Sequence, residues 1–172
     1  MGTAGMVVSL AVAGWLIWVL PGPHLAAGLG IGPVDGTMTI SSCYEATDYE
    51  GYDDGTDCTG VYSPRVGGEP RRRITLDKAA ASHRAGSTLE VRLVRGRAYE
   101  PSGYAAGTWV TVSGLILGPF LALSLFFRAS ARDGEWSHNG DYVLVFIAAE
   151  LASLVVGFVF GLTVSLALAL SG

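Results

Sequence analysis

Carboxylates are the densest chemistry in the chain: Glu45, Asp48, Glu50, Asp53, Asp54 and Asp57 lie between two cysteines with no basic residue among them. Such oxygens on a glycine-containing loop are ligands for Ca2+, which takes six to eight of them. The spacing departs from an EF-hand, because Tyr52 stands where a third oxygen ligand should follow Asp48 and Glu50. Asp48, Glu50, Asp53, Asp54 and Asp57 are therefore metal-ligand candidates beside a simpler reading, a hydrated acidic hairpin tip. No cofactor is implied.

Glu150 is the one ionisable residue inside a long apolar run, and a carboxylate in hydrocarbon is costly enough to count as a functional candidate. If its helix enters the bilayer at Tyr142, Glu150 lies about 12 Å along the axis and well inside. Entry near Ile147 makes it interfacial, and a run longer than the bilayer core permits either register. No opposite charge shares a span with it, so a partner has to be Ser153, a hydroxyl of another helix or a neighbouring subunit. Gly114 with Gly118, and Gly157 with Gly161, have the GxxxG spacing that lets helix backbones approach closely, within one molecule or between two. His24, His83 and His138 are scattered, and no Cys-X-X-Cys, His-Glu-X-X-His, Gly-X-Ser-X-Gly or Walker motif occurs. Neither a hydrolase nor an ATPase is supported.

The elements that must position these residues follow from composition. Of 172 residues half are hydrophobic and 15% charged, too apolar for an ordinary soluble domain. The apolar excess falls in blocks at 3–32, 108–127 and 142–170, and nine of the eleven basic residues lie between the first two. A net charge of −4 argues against nucleic acid as a partner. The Arg and Gly bias is that of a GC-rich bacterial genome.

Three transmembrane helices are expected. Residues 3–20 carry no charge and just match a hydrocarbon core, ending at Pro21-Gly22-Pro23. An uncleaved helix is the favoured reading, because a signal peptide needs a positive n-region; cleavage near Ala26-Ala27-Gly28 is the rival. Residues 108–127 form the second span, flanked by Trp109 and Arg128, with a kink expected at Gly118-Pro119. Residues 142–172 hold the third. Arg128 and Arg132 place the short loop 128–141, and hence the N-terminus, in the cytoplasm.

Residues 33–107 switch to period-two alternation with turn residues, the signature of short strands. Four or five strands are expected, four of them at 37–41, 58–62, 73–76 and 89–94, with one helical turn at Lys78–Arg84, where alanines favour helix. The fold class is a membrane protein of α+β type, with a small sheet or partly open barrel inserted between the first and second helices. A domain this small benefits from a staple, and an extracytoplasmic location favours a Cys43–Cys58 disulfide over two buried thiols. Arg92, Arg95 and Arg97 lie just before the second helix, where they suit either solvent or anionic headgroups.

Gly36-Thr37-Met38-Thr39-Ile40, the Cys43 and Cys58 pair followed by Gly60-Val61-Tyr62, and Gly86-Ser87-Thr88-Leu89-Glu90-Val91 before a membrane helix resemble bacterial membrane proteins of the DUF3592-like kind. The resemblance implies a small β domain between helices and carries no activity. The expectation is a non-enzymatic envelope binding module or subunit of a membrane assembly. Its partners would be membrane lipid and another membrane protein or a second copy of itself. The alternative is a transport-related or membrane-enzyme subunit that uses Glu150.

Overall fold

The computed structural model describes residues 2–47, 50–66, 70–133 and 141–171. Alternation is realised first on strand β1, Gly36–Thr47, where Met38 and Ile40 are buried while Thr37, Thr39 and Ser41 face out. Ser41 is an extra residue in the ladder to β2, Asp53–Pro64: Ile40 pairs with Gly60 and Ser42 with Thr59. That bulge shifts the parity, so that Ile40 and Cys43 both turn toward the core. Cys43 is thereby brought opposite Cys58, and the two form a disulfide with a Cα–Cα distance of 4.0 Å.

Strands β3 (Arg72–Ala79), β4 (Thr88–Val94) and β5 (Arg97–Tyr99) complete the sheet. Its order is β1-β2-β3-β5-β4 with β4 returning to β1, all antiparallel except the β3–β5 contact at Leu76 and Ala98. This is a closed five-stranded Greek-key barrel of OB type, not the partly open one that the sequence also allowed. Closure satisfies the strand edges that an open sheet would expose. Met38, Ile40, Tyr62, Ile74, Leu76 and Val91 fill the interior. Gly60 is required in that packing, because a Cβ there would run into the carbonyl oxygen of Thr39.

One sequence expectation is corrected and a second is filled in. The alanines after Lys78 do not form a helical turn: β3 continues to Ala79, which pairs with Thr56, and the Ala80 N–H is taken by the Glu100 carboxylate at 2.8 Å. Tertiary pairing outweighs a propensity worth a few tenths of a kcal/mol, in the ~0.7 kcal/mol range of ordinary residues. Strand β5 is the fifth of the four or five expected, and its place was not located because it is only three residues long. It follows β4 through Arg95 (φ 50°) and Gly96 (φ 86°), the left-handed pair of a tight hairpin turn.

The helices are α1 (Gly2–Val19), α2 (Gly22–Gly28), α3 (Gly103–Asp133) and α4 (Asp141–Ser171). Residues 103–128 of α3 and 143–170 of α4 are each long and apolar enough to cross a membrane. Helices α1 and α2 would make a third span only as one broken unit, bent by 46°. The bend has a cause in the sequence: Pro23 has no N–H to give to the Val19 carbonyl, and Arg95 Nη2 donates to that oxygen instead, at 3.0 Å. Helix α3 starts five residues before the expected 108, because Ser102 Oγ accepts the Ala105 N–H at 3.3 Å and caps it. It also runs on through Pro119 to Asp133, into the segment read as a loop, whose residues 134–140 lie outside the described ones.

Helix α3 is central. Gly5 of α1 lies against the Phe127 ring and Ser9 Oγ donates to the Phe120 carbonyl at 3.1 Å, so α1 and α3 run antiparallel. On the other flank Gly103 meets Ser165 and Gly118 meets Glu150, so α4 is antiparallel to α3 as well. The barrel sits at the end where α1 stops and α3 begins.

Candidate functional site

Two constellations bring polar side chains out of water. The first lies where the barrel meets the helices. On β3 the period-two pattern that buries Ile74 and Leu76 carries Lys78 inward too, and a register shift opposite Asp57 buries Asp77 beside it. Lys78 adopts φ 52°, a conformation that costs a non-glycine residue roughly 1–2 kcal/mol. Its neighbours hold it there. Asp57 Oδ1 accepts the Lys78 N–H at 3.0 Å, while Nζ pairs with the Asp54 carboxylate and donates to the Asp54 carbonyl at 3.2 Å.

Asp77 is shared between two donors: Oδ1 accepts from Arg97 Nη1 at 2.8 Å and Oδ2 from the Tyr99 hydroxyl at 2.7 Å. With its proton given to Asp77, the Tyr99 oxygen accepts from His24 Nδ1 of α2 at 2.9 Å, which assigns the histidine proton to Nδ1. The His24 ring stacks on Trp109 of α3, with centroids 4.3 Å apart. Burial, then the Asp77 hydrogen bond and charge, push the Tyr99 phenol far above its ordinary value. The Asp77 charge raises Arg97, and burial raises Asp57 against the opposing hydrogen bond from Lys78. A second acid completes the belt: Glu100 Oε1 accepts from Ala80 N and from His83 Nε2 at 2.7 Å. The charged groups pair with one another, so the network fixes the barrel on α2 and α3, while the Trp109 Nε1–H stays buried without a hydrogen-bond partner.

No family model, curated protein or solved structure matches the chain. A fold carries no activity by itself, so what the site residues can do has to be judged from their surroundings.

The second constellation is the seam between α3 and α4. Gly103, Gly107, Thr111, Gly114 and Gly118 of α3 face Ser165, Gly161, Gly157, Ser153 and Glu150 of α4 in succession. The glycines of both GxxxG pairs thus serve packing inside one chain, although each pair faces other partners: Gly114 meets Ser153, and Gly157 meets Thr111 and Gly107. Glu150 lies within the apolar stretch 143–170, and its Oε1 is buried against Gly118 without a hydrogen-bond partner. Ser153, considered as its partner from sequence, donates instead to the Ala149 carbonyl at 2.8 Å.

The acidic loop is mostly hairpin. Asp54 and Asp57 hold Lys78, and Asp53 Oδ1 accepts the Gly55 N–H at 2.8 Å. Asp48 lies outside the described residues, among which no three His, Cys, Asp or Glu side chains are grouped to hold an ion. The basic residues before α3 are tied inward: Arg92 Nε donates to the Gly32 carbonyl at 3.2 Å, Arg95 to Val19 and Arg97 to Asp77. His83 and His24 belong to the junction, and His138 lies outside the described residues.

Sequence reasoning missed the junction of Asp77, Lys78, Arg97, Tyr99 and Glu100. One signal was present: extending the β3 alternation by two residues puts a lysine inside, which demands buried acids nearby. Gly103-Tyr104-Ala105-Ala106-Gly107 was likewise a third GxxxG, at the start of the seam.

Proposed function

We propose that this is a non-enzymatic multi-pass membrane protein whose barrel, on the extracytoplasmic side, binds or positions another envelope component. The observation that carries this reading is the Tyr99–Asp77–His24 connection: it locks a barrel with a filled interior onto the helices, leaving the outer surface as the working part. On that surface Tyr44 and Tyr52 are exposed on the acidic hairpin, and Val61 and Val66 are exposed toward the opposite end of β2, chemistry suited to a protein contact. The disulfide supports an oxidising compartment. The resemblance in sequence to DUF3592-like membrane proteins suits the same arrangement.

The test has two parts. Membrane-impermeant thiol reagent applied to intact cells should label Cys43 and Cys58 only after reduction; labelling only on lysis overturns the topology. Photo-crosslinking residues at Val61 or Val66 should then trap a discrete partner, whereas the same residues at lipid-facing Val155 should not. Equal patterns from both faces would remove the binding role.

A second reading rests on Glu150. A carboxyl oxygen buried without a partner in a membrane helix supports a role in ion or proton handling by a larger assembly. Loss of function in Glu150→Gln with the barrel intact would favour it over the binding module.

A further inference from the structure

A groove of about 410 Å3 runs along the outside of the α3–α4 seam, bordered by the seam's glycines and, at its mouth, by Asp54 of the junction. Its floor lies where Gly107, Gly157 and Gly161 bring the two backbones together, and its walls are Val112, Leu154 and Phe158. It extends from Val112 and Leu154 up to Gly103 and Ser165 along the two apolar stretches, and leaves them only at its upper end. At its upper end the lining changes character. Asp54 from the barrel hairpin closes it, above Tyr104, whose ring lies 5.3 Å from Lys78 Nζ and whose hydroxyl donates to the Asp53 carbonyl at 3.5 Å.

Size decides what can enter. The groove follows roughly ten residues of helix, about 15 Å at 1.5 Å per residue, so its mean section is about 27 Å2, against about 80 Å2 for a helix only 10 Å across. A section of that size suits a single hydrocarbon chain. Charge decides the other end. Asp54 pairs with Lys78, yet its side chain remains 48% exposed while that of Lys78 is only 8% exposed. The mouth therefore presents carboxylate, with Asp53 next in sequence, and no comparably open cation.

We propose that this groove is a binding site for an amine-bearing phospholipid: one acyl chain lies between α3 and α4, and the primary ammonium of the headgroup donates to the Asp54 carboxylate. The barrel starts where the apolar stretch of α3 begins, at Gly103, which puts Asp54 at headgroup level. A primary ammonium has N–H groups to give to a carboxylate, a charge-assisted bond, whereas a trimethylammonium has none.

The test is native mass spectrometry of the full chain in mild detergent, titrated with phosphatidylethanolamine, phosphatidylcholine or phosphatidylglycerol of identical acyl chains. Wild type should retain one phosphatidylethanolamine with about tenfold preference over the other two, the worth of one hydrogen bond to a charged group. Asp54→Asn should abolish that preference while still retaining lipid. Thr108→Phe, which fills the groove beside Tyr104, should lose binding of all three; Leu154→Trp serves if that variant does not fold. Equal retention of the three lipids by wild type, or a preference that survives Asp54→Asn, overturns the headgroup assignment. Unchanged retention in the folded groove-filling variant overturns the site.

Discussion

Glu150 and Gly118 meet across the α3–α4 seam, with the carboxyl oxygen of the glutamate occupying the place where a side chain on residue 118 would begin. The glycine and the carboxyl are therefore one feature. Gly118→Ala should push the carboxyl, the far end of a flexible side chain, out of the seam, at a cost of about 1 kcal/mol, the low end for overpacked sites. In a Glu150→Ala background the same substitution should cost much less. Unfolding of the four proteins in one detergent, taken as a double-mutant cycle, measures the coupling. Additive effects would show that the two residues act separately.

Tyr99 is the pivot of the barrel–helix junction. Tyr99→Phe removes the donor to Asp77 and the acceptor for His24 together, while the Arg97 pair remains. A loss of about 1–3 kcal/mol is expected, the cost of leaving buried polar groups unpaired. The same phenol predicts alkaline sensitivity. Its folded value is raised, so its contribution is intact below the ordinary value of 10.0 and declines as the pH climbs above it. Chemical denaturation of wild type and Tyr99→Phe on both sides of that pH should show the difference shrinking on the alkaline side.

Asp57 gives a dependence at the acid end. Burial holds its carboxyl above the ordinary 3.8, so the folded chain keeps this proton better than the unfolded chain does. The stability it contributes is complete below 3.8 and is lost as the pH rises through the folded value. Asp57→Asn keeps the acceptor for the Lys78 N–H and has no charge to desolvate. The stability of wild type relative to Asp57→Asn should fall on passing from acid to neutral pH, as measured by denaturant unfolding; a rise would contradict the assignment.

The Cys43–Cys58 bridge spans a sequence separation of 15, for which the chain-entropy account gives about 3 kcal/mol. The Cys43→Ser, Cys58→Ser double variant should therefore unfold earlier by that order, and reducing agent should lower wild type to the same level. Because the bridge lies in the core beside Ile40 and Leu76, loss of the barrel in the reduced protein would be read by far-ultraviolet circular dichroism as a loss of strand.

Local pattern was enough for the elements whose residues repeat a single environment. The alternation of Thr37 to Ile40 and of Leu89 to Val94 is visible because one face of each strand sees the core. The apolar lengths of α3 and α4 are visible because hydrocarbon accepts little else. The cysteine pairing was legible because the chain holds only two cysteines.

Tertiary structure alone decided the rest, because it depends on which distant residues become neighbours. The Ser41 bulge sets the parity that puts Cys43 inside, and nothing local distinguishes it from the regular strand before it. Strand β5 is too short to show a period, yet it closes the barrel and carries Tyr99 to Asp77 and His24, 22 and 75 residues away. Composition identified Glu150 as costly; only the packing of α4 on α3 placed it against Gly118. Sequence by itself thus determined where strands alternate between core and surface and that α3 and α4 are apolar enough to cross a membrane, since solvent preference is a property of each residue. Closure, register and the pairing of buried charges were left to the fold, since they are properties of residue pairs.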